Sequence, residues 1–158
     1  MTSPNKDGAH VRFPPPLVFL GAVIAGAIVQ RTTTPLSLSV AAGIRVAAGA
    51  LILACGIGLV LSARLLFTRT GQSPIPWKPT PELILRGPYR FTRNPMYVGV
   101  TLFVVGLGLM LNDLWMSLFA APALLAVHFI AVLPEERYLA KKFGARYRSF
   151  LGTVRRYL

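Results

Sequence analysis

The sequence predicts an all-α fold: a polytopic membrane helix bundle of about four transmembrane helices, with a cytoplasmic loop and a C-terminal amphipathic helix. Three observations carry that expectation. Hydrophobic residues make up 54% of the chain and charged residues only 14%, against about 25% charged in an ordinary soluble domain. The apolar residues fall into four runs separated by polar blocks. The net charge of +12 is carried by those blocks rather than by the runs. Lipid is therefore the expected solvent, and the basic blocks read as topology signals and headgroup contacts. No apolar-free region is long enough to build a soluble binding face, so a nucleic-acid partner is not expected.

At 158 residues the chain is one domain. It divides into a tail (1–16), two apolar spans (17–67), a cytoplasmic loop (68–95), a helical hairpin (96–133) and a cytoplasmic amphipathic helix (134–158). The first run, 17–29, is short for a bilayer that needs about 20 apolar residues. A polar tail and three prolines precede it and no small-residue cleavage site closes it, so it reads as a retained span. The second run covers 36–67, with its apolar centre at 46–61. Arg45 lies near its outer end and is expected to snorkel to the interface. The Gly- and Ala-rich second run also offers a surface for helix pairing. The third and fourth runs, 96–111 and 114–133, are joined by Asn112 and Asp113, which predicts a tight turn and an antiparallel hairpin.

Charge placement predicts orientation. Arg64, Arg69, Lys78, Arg86, Arg90 and Arg93 lie between the apolar centre of run two and run three, and seven more basic residues follow run four. The two opposite connections hold only Arg31. Both termini and the central loop are therefore expected in the cytoplasm. The loop carries six prolines from Pro74 to Pro95, so it is not one helix. It also carries Ile75, Trp77, Leu83, Ile84, Leu85, Tyr89 and Phe91. That is too much apolar surface for a solvated linker, and the loop is expected to fold back onto the helix ends. In the tail, Leu139, Phe143 and Tyr147 recur every four residues, and Phe150, Leu151 and Val154 continue the face. Taken alone this is a membrane-surface helix, with Gly144 weakening or kinking it.

Few residues can carry chemistry. Glu135 and Glu136 are two of only five acids and sit where the fourth run ends. They are either a dipole-stabilising helix start paired with arginines or a carboxylate site for a cationic or hydroxyl-bearing ligand. His128 lies seven residues before Glu135, on the same face of a regular helix, and is either a packing residue or part of the same pocket. With His10 as the only other histidine and Cys55 as the only cysteine, no metal site is expected. Cys55 lies in an apolar run and reads as a packing residue. Gly106-Leu107-Gly108 lies inside a span, where close helix approach is the default role.

Two separated motifs point further. Gly87-Pro88-Tyr89 leads into Arg93-Asn94-Pro95-Met96-Tyr97, and Glu135-Glu136 leads into Leu139, Phe143-Gly144 and Tyr147. Their order resembles the integral membrane methyltransferases, which comprise the isoprenylcysteine carboxyl methyltransferases and the related phospholipid methyltransferases. The resemblance covers about residues 79–158. It implies S-adenosylmethionine as cofactor, with contacts from Leu83, Ile84, Tyr89, Asn94, Pro95, Met96 and Tyr97, and with Glu135 closing the pocket. Beside that carry-over, Arg93 or Arg90 is a candidate partner for the cofactor's carboxylate. Asn94 stands where the carboxyl methyltransferases have His, the form common in bacterial and phospholipid-type relatives. Ala131 stands where they place a substrate-linked arginine.

The function this implies is methyl transfer to a lipophilic acceptor at the cytoplasmic face of a membrane, expected to be the bacterial inner (plasma) membrane. His128 is the candidate base for an amine or thiol acceptor. The alternative is a non-catalytic membrane protein that binds anionic lipid through its basic loop and tail.

Overall fold

The computed structural model describes residues 8, 9, 11, 13–75 and 77–157. His10, Pro76 and the last residue lie outside that set, as do 1–7 and 12. The described chain is helical, with no strand among the described residues. In chain order it forms α1 (Pro15–Thr32), α2 (Ala42–Arg69), a 3-10 turn (Gly87–Arg90), α3 (Pro95–Leu111), α4 (Leu114–Val127), a π turn (His128–Val132) and α5 (Leu133–Thr153). α4, the π turn and α5 follow one another without a loop over 40 residues. Three helical segments are long and apolar enough to cross a membrane: α1, α2 and this continuous one. α3 is apolar but shorter, at 17 residues.

α1 is longer than the apolar run that marks it. Pro15 and Pro16 open it, because a proline at the first helical positions gives up an N–H that has no partner anyway. At the other end Gln30, Arg31 and Thr32 continue the helix, so it reaches 18 residues rather than 13. α2 starts later than the run that marks it, at Ala42. Residues 35–41 are not helical and are pinned to the α3–α4 turn. Leu38 N–H donates to Asn112 Oδ1 at 2.9 Å, and Leu114 N–H donates to Leu36 O at 3.1 Å. In that turn Asn112 takes the left-handed conformation (φ 58°), and Asp113 Oδ1 accepts from Met116 N–H at 2.9 Å to cap α4.

The helices pack in a row: α1 on α4, α4 on α3, and α3 on α2. The α2–α3 seam is made by glycine. A side chain on Gly49 would come within 2.7 Å of Gly106 O, and one on Gly99 within 2.7 Å of Gly56 O. Small residues let helices approach this closely in lipid, where packing rather than the hydrophobic effect holds them together. The glycine pattern of the second run is thus spent on a partner within the chain. The main core lies where α1, α3 and α4 meet, around Phe19, Val104, Met116, Ala123 and Val127. Leu20 and Ile24 on α1, Leu51 and Leu61 on α2, and Leu125 on α4 face outward, as lipid-facing residues do.

Arg45 does more than reach for the interface. Its Nη1 donates to Leu109 O at 2.6 Å and also to Met110 O. These carbonyls sit in the last turn of α3, where helical partners run out, so a cation there both satisfies acceptors and meets the negative end of the helix dipole. Arg45→Ala is expected to cost about 1–3 kcal/mol of stability, read as a lower unfolding temperature in a fixed detergent.

The amphipathic tail also differs from the expectation of a membrane-surface helix. Its apolar face is covered by the central loop: Leu83, Tyr147 and Phe150 form a buried cluster, with Leu85, Leu139, Phe143 and Val154 packed on it. The loop does fold back, and it is what the tail binds. Gly144 (φ 51°, ψ −122°) breaks the helix. That positive φ is accessible to glycine without steric cost, and the break re-aims the second half of α5.

Candidate active site

A cavity of about 320 Å³ opens where the loop, the start of α3 and the start of α5 meet the loop-side ends of α1 and α2. Its size is at the lower end of the range typical of small-molecule sites. Leu83, Ile84, Tyr89, Asn94, Pro95, Met96, Tyr97 and Glu135 all line it. Residues 52 positions apart in sequence are thus brought to one wall.

Local sequence explains each placement. Gly87 takes a positive φ of 61°, which turns the chain so that Pro88 and Tyr89 form a short 3-10 turn. The Tyr89 ring meets Phe67 of α2 edge to face, with centroids 6.1 Å apart. Burial raises the Tyr89 phenol well above its ordinary range, with the Glu135 charge adding to the effect, so Tyr89 stays neutral. Pro95 starts α3 at the position proline favours, which sets Met96 and Tyr97 in the first turn.

The stretch Thr92–Asn94 is held from below by the chain's last residues. Arg93 N–H donates to Arg155 O at 2.9 Å. Thr92 Oγ1 and Asn94 Nδ2 both donate to Arg156 O, at 3.1 and 3.0 Å. Thr92 and Asn94 are buried, so these bonds satisfy groups that water cannot reach.

The adjacent glutamates do different things. Glu136 accepts from Arg156 Nε at 3.0 Å and Nη2 at 2.8 Å, and forms an ion pair with Arg93 Nη1 at 3.2 Å. Glu135 lies about 100° further back around the helix and turns to the cavity. It has no hydrogen-bond or ion-pair partner among the described residues. Its carboxyl is pushed up to about 7, first by burial and then by the neighbouring Glu136 charge. It lies in the first turn of α5, beyond the apolar residues 114–133. Arg93 also lines the cavity, and its Nε is buried without a partner.

His128 does not line this cavity. Its Nδ1 is 2.9 Å from Tyr157 Oη, and its ring lies edge-on to Phe129. The five-residue π turn that it opens winds less per residue than an α-helix. The seven-residue spacing to Glu135 therefore does not keep both on one face. Arg90 is likewise elsewhere, in a separate groove with Arg146. Sequence reasoning missed Phe19, Val60, Arg64, Trp77 and Glu82, which complete the wall. The only available signal was Arg64, which breaks an apolar run at its end.

The sequence pattern of the phospholipid methyltransferase family matches residues 44–146, more than half of the chain. The chain belongs to that family. No curated protein and no solved structure matches it. Membership places this phospholipid methyltransferase relative among enzymes that transfer methyl groups to lipid-type acceptors. The match spans α2, the loop, α3, α4 and the first part of α5. α1 and the segment Arg155–Tyr157, which complete the cavity and brace it, lie outside the match.

Proposed function

We propose that this protein transfers a methyl group from S-adenosylmethionine to a lipophilic acceptor at the cytoplasmic face of the membrane. The observation that carries this reading is Glu135, an unpartnered carboxylate on the wall of a mostly apolar and aromatic cavity whose other charged residues are Arg64, Arg93 and Glu82. The residues fit the cofactor's chemistry. Glu135 would accept hydrogen bonds from its ammonium or ribose hydroxyls. Tyr89, Leu83 and Ile84 offer a flat, apolar wall for the adenine. The unpaired Arg93 Nε is a donor for its carboxylate.

When bound, the cofactor supplies a methyl on a positively charged sulfur whose departure leaves a neutral thioether. The protein's task is then alignment, which contributes on the order of 7 to 11 kcal/mol in well-oriented reactions. The loop and α5, locked together through Leu83, Tyr147 and Phe150, hold the polar end. Tyr97 and Val100 on α3 carry the wall toward the apolar side.

Calorimetric titration of the detergent-purified protein with S-adenosylhomocysteine tests the reading. Binding is expected. A folded wild type that binds none would favour the alternative, a non-catalytic binder of anionic lipid.

The binding should also depend on pH. In the free protein Glu135 holds its proton more tightly than an unfolded chain would, so its contribution to stability is full below about 4.5 and is lost as pH rises through about 7. A cofactor ammonium prefers the ionised carboxylate. Affinity for S-adenosylhomocysteine is therefore expected to rise from pH 6 to pH 8, with a midpoint near 7. A flat profile would remove Glu135 from the binding step.

A further inference from the structure

We propose that the groove between the loop and the second half of α5, outside the cavity, binds an anionic phospholipid of the membrane and holds its phosphate between Arg90 and Arg146. The groove encloses about 540 Å³. Its sequence origin is local. Beyond the Gly144 break, α5 lies against the loop through Phe150 and Leu85. There Arg146, Ser149, Phe150 and Thr153 recur at spacings of three and four and share one helical face. Arg90 meets that face from the end of the 3-10 turn. Leu85, Phe150 and Val154 make the groove's interior apolar.

Charge selects an anion. Neither Arg90 nor Arg146 has an ion pair or a side-chain hydrogen bond among the described residues, and no acid lines the groove. Thr153 Oγ1 is taken up by Ser149 O and Phe150 O, at 3.3 and 3.2 Å. Ser149 Oγ is left as the hydroxyl donor. Two guanidiniums and a hydroxyl beside an apolar surface match a phosphate ester with its carbon skeleton attached. A zwitterionic headgroup brings its own cation, which finds no acid here. Depth selects a lipid over a soluble phosphate. The turn that presents Arg90 is seated on the loop-side end of α2: the Tyr89 ring lies on Phe67, and a side chain on Gly87 would come within 2.9 Å of Leu66 Cδ1. α2 is long and apolar enough to cross the membrane, so its end marks the headgroup layer, where anionic lipids attract arginines. Phe91, the residue after Arg90, is 76% exposed and adds an outward aromatic ring at that depth. Phe150 lines both groove and cavity. A phosphate that draws Arg90 of the loop toward Arg146 of α5 therefore also steadies the wall of the cavity.

The test titrates the full chain in an uncharged maltoside with phosphatidylglycerol or phosphatidylcholine of equal chain length, reading bound lipid by native mass spectrometry. Wild type is expected to bind phosphatidylglycerol about tenfold or more tightly than phosphatidylcholine, at about a factor of five per arginine. The double variant Arg90→Gln/Arg146→Gln is expected to erase that preference while unfolding, without lipid, at the wild-type temperature. The control Arg137→Gln/Arg148→Gln removes two exposed tail charges outside the groove and is expected to keep the preference. A preference that survives the first pair, or that falls equally with the second, overturns the groove and leaves only diffuse surface charge. Inorganic phosphate that displaces phosphatidylglycerol at equal concentration overturns the lipid as occupant and makes the groove a soluble-phosphate site. Phosphatidylglycerol is also expected to raise S-adenosylhomocysteine affinity in wild type and not in the Arg90/Arg146 variant, and an equal rise in both overturns the coupling through Phe150. If wild type prefers phosphatidylglycerol but binds no S-adenosylhomocysteine, the groove stands and the methyl-transfer reading falls.

Discussion

Glu135→Gln is expected to weaken S-adenosylhomocysteine binding about tenfold to a hundredfold while leaving the fold as stable as before. The size follows from one charge-assisted hydrogen bond, roughly 1.5 to 3 kcal/mol. The second half of the expectation follows from what Glu135 does in the free protein, which is to touch nothing that holds it. It has no partner among the described residues, and its charge is opposed by burial and by Glu136. A neutral amide of the same shape removes that opposition. The unfolding temperature in detergent should stay level or rise, and the rise of affinity between pH 6 and pH 8 should flatten. Retained affinity would take Glu135 out of the site. Loss of affinity together with loss of stability would show a structural residue instead.

The helices were legible because lipid imposes a simple rule: apolar runs of sufficient length become spans. The ends were less legible. Residues 36–41 read as apolar continuation of α2, yet they are not helical, and the α3–α4 turn offers Asn112 Oδ1 and Leu114 N–H as partners. The cavity's motif side was legible through two short patterns separated by a span. Its membrane side was not, because Phe19 and Val60 look like any other apolar residue until the tertiary fold shows which cavity they face. His128 was misplaced by a regular-helix assumption that a five-residue π turn defeats. The amphipathic tail was read correctly as two-faced. The partner for its apolar face, the loop around Leu83, could not be read from its own periodicity.

Glu136→Gln should do the reverse of Glu135→Gln. The Glu136 and Arg93 side chains are only 13% and 11% exposed, so the carboxylate is the counter-charge for a guanidinium that solvent barely reaches. Removing one partner of a buried pair costs about 3–5 kcal/mol, mostly from the charge left behind. The lower end is expected, because Arg156 is 37% exposed and turns to water more easily. Arg93 has no such escape, since its Nε is already without a partner. The loss should appear as a clear drop in unfolding temperature. Cofactor affinity should fall only as a consequence, because Arg156 O anchors Thr92 and Asn94 beneath the cavity. Replacing Arg93 and Glu136 together with leucine removes the stranded charge and should recover much of the stability. An unfolding temperature unchanged by Glu136→Gln would mean that the triad contributes nothing net. Different outcomes for two adjacent glutamates would separate a residue that binds from one that builds, a distinction their shared chemistry and neighbouring positions hide.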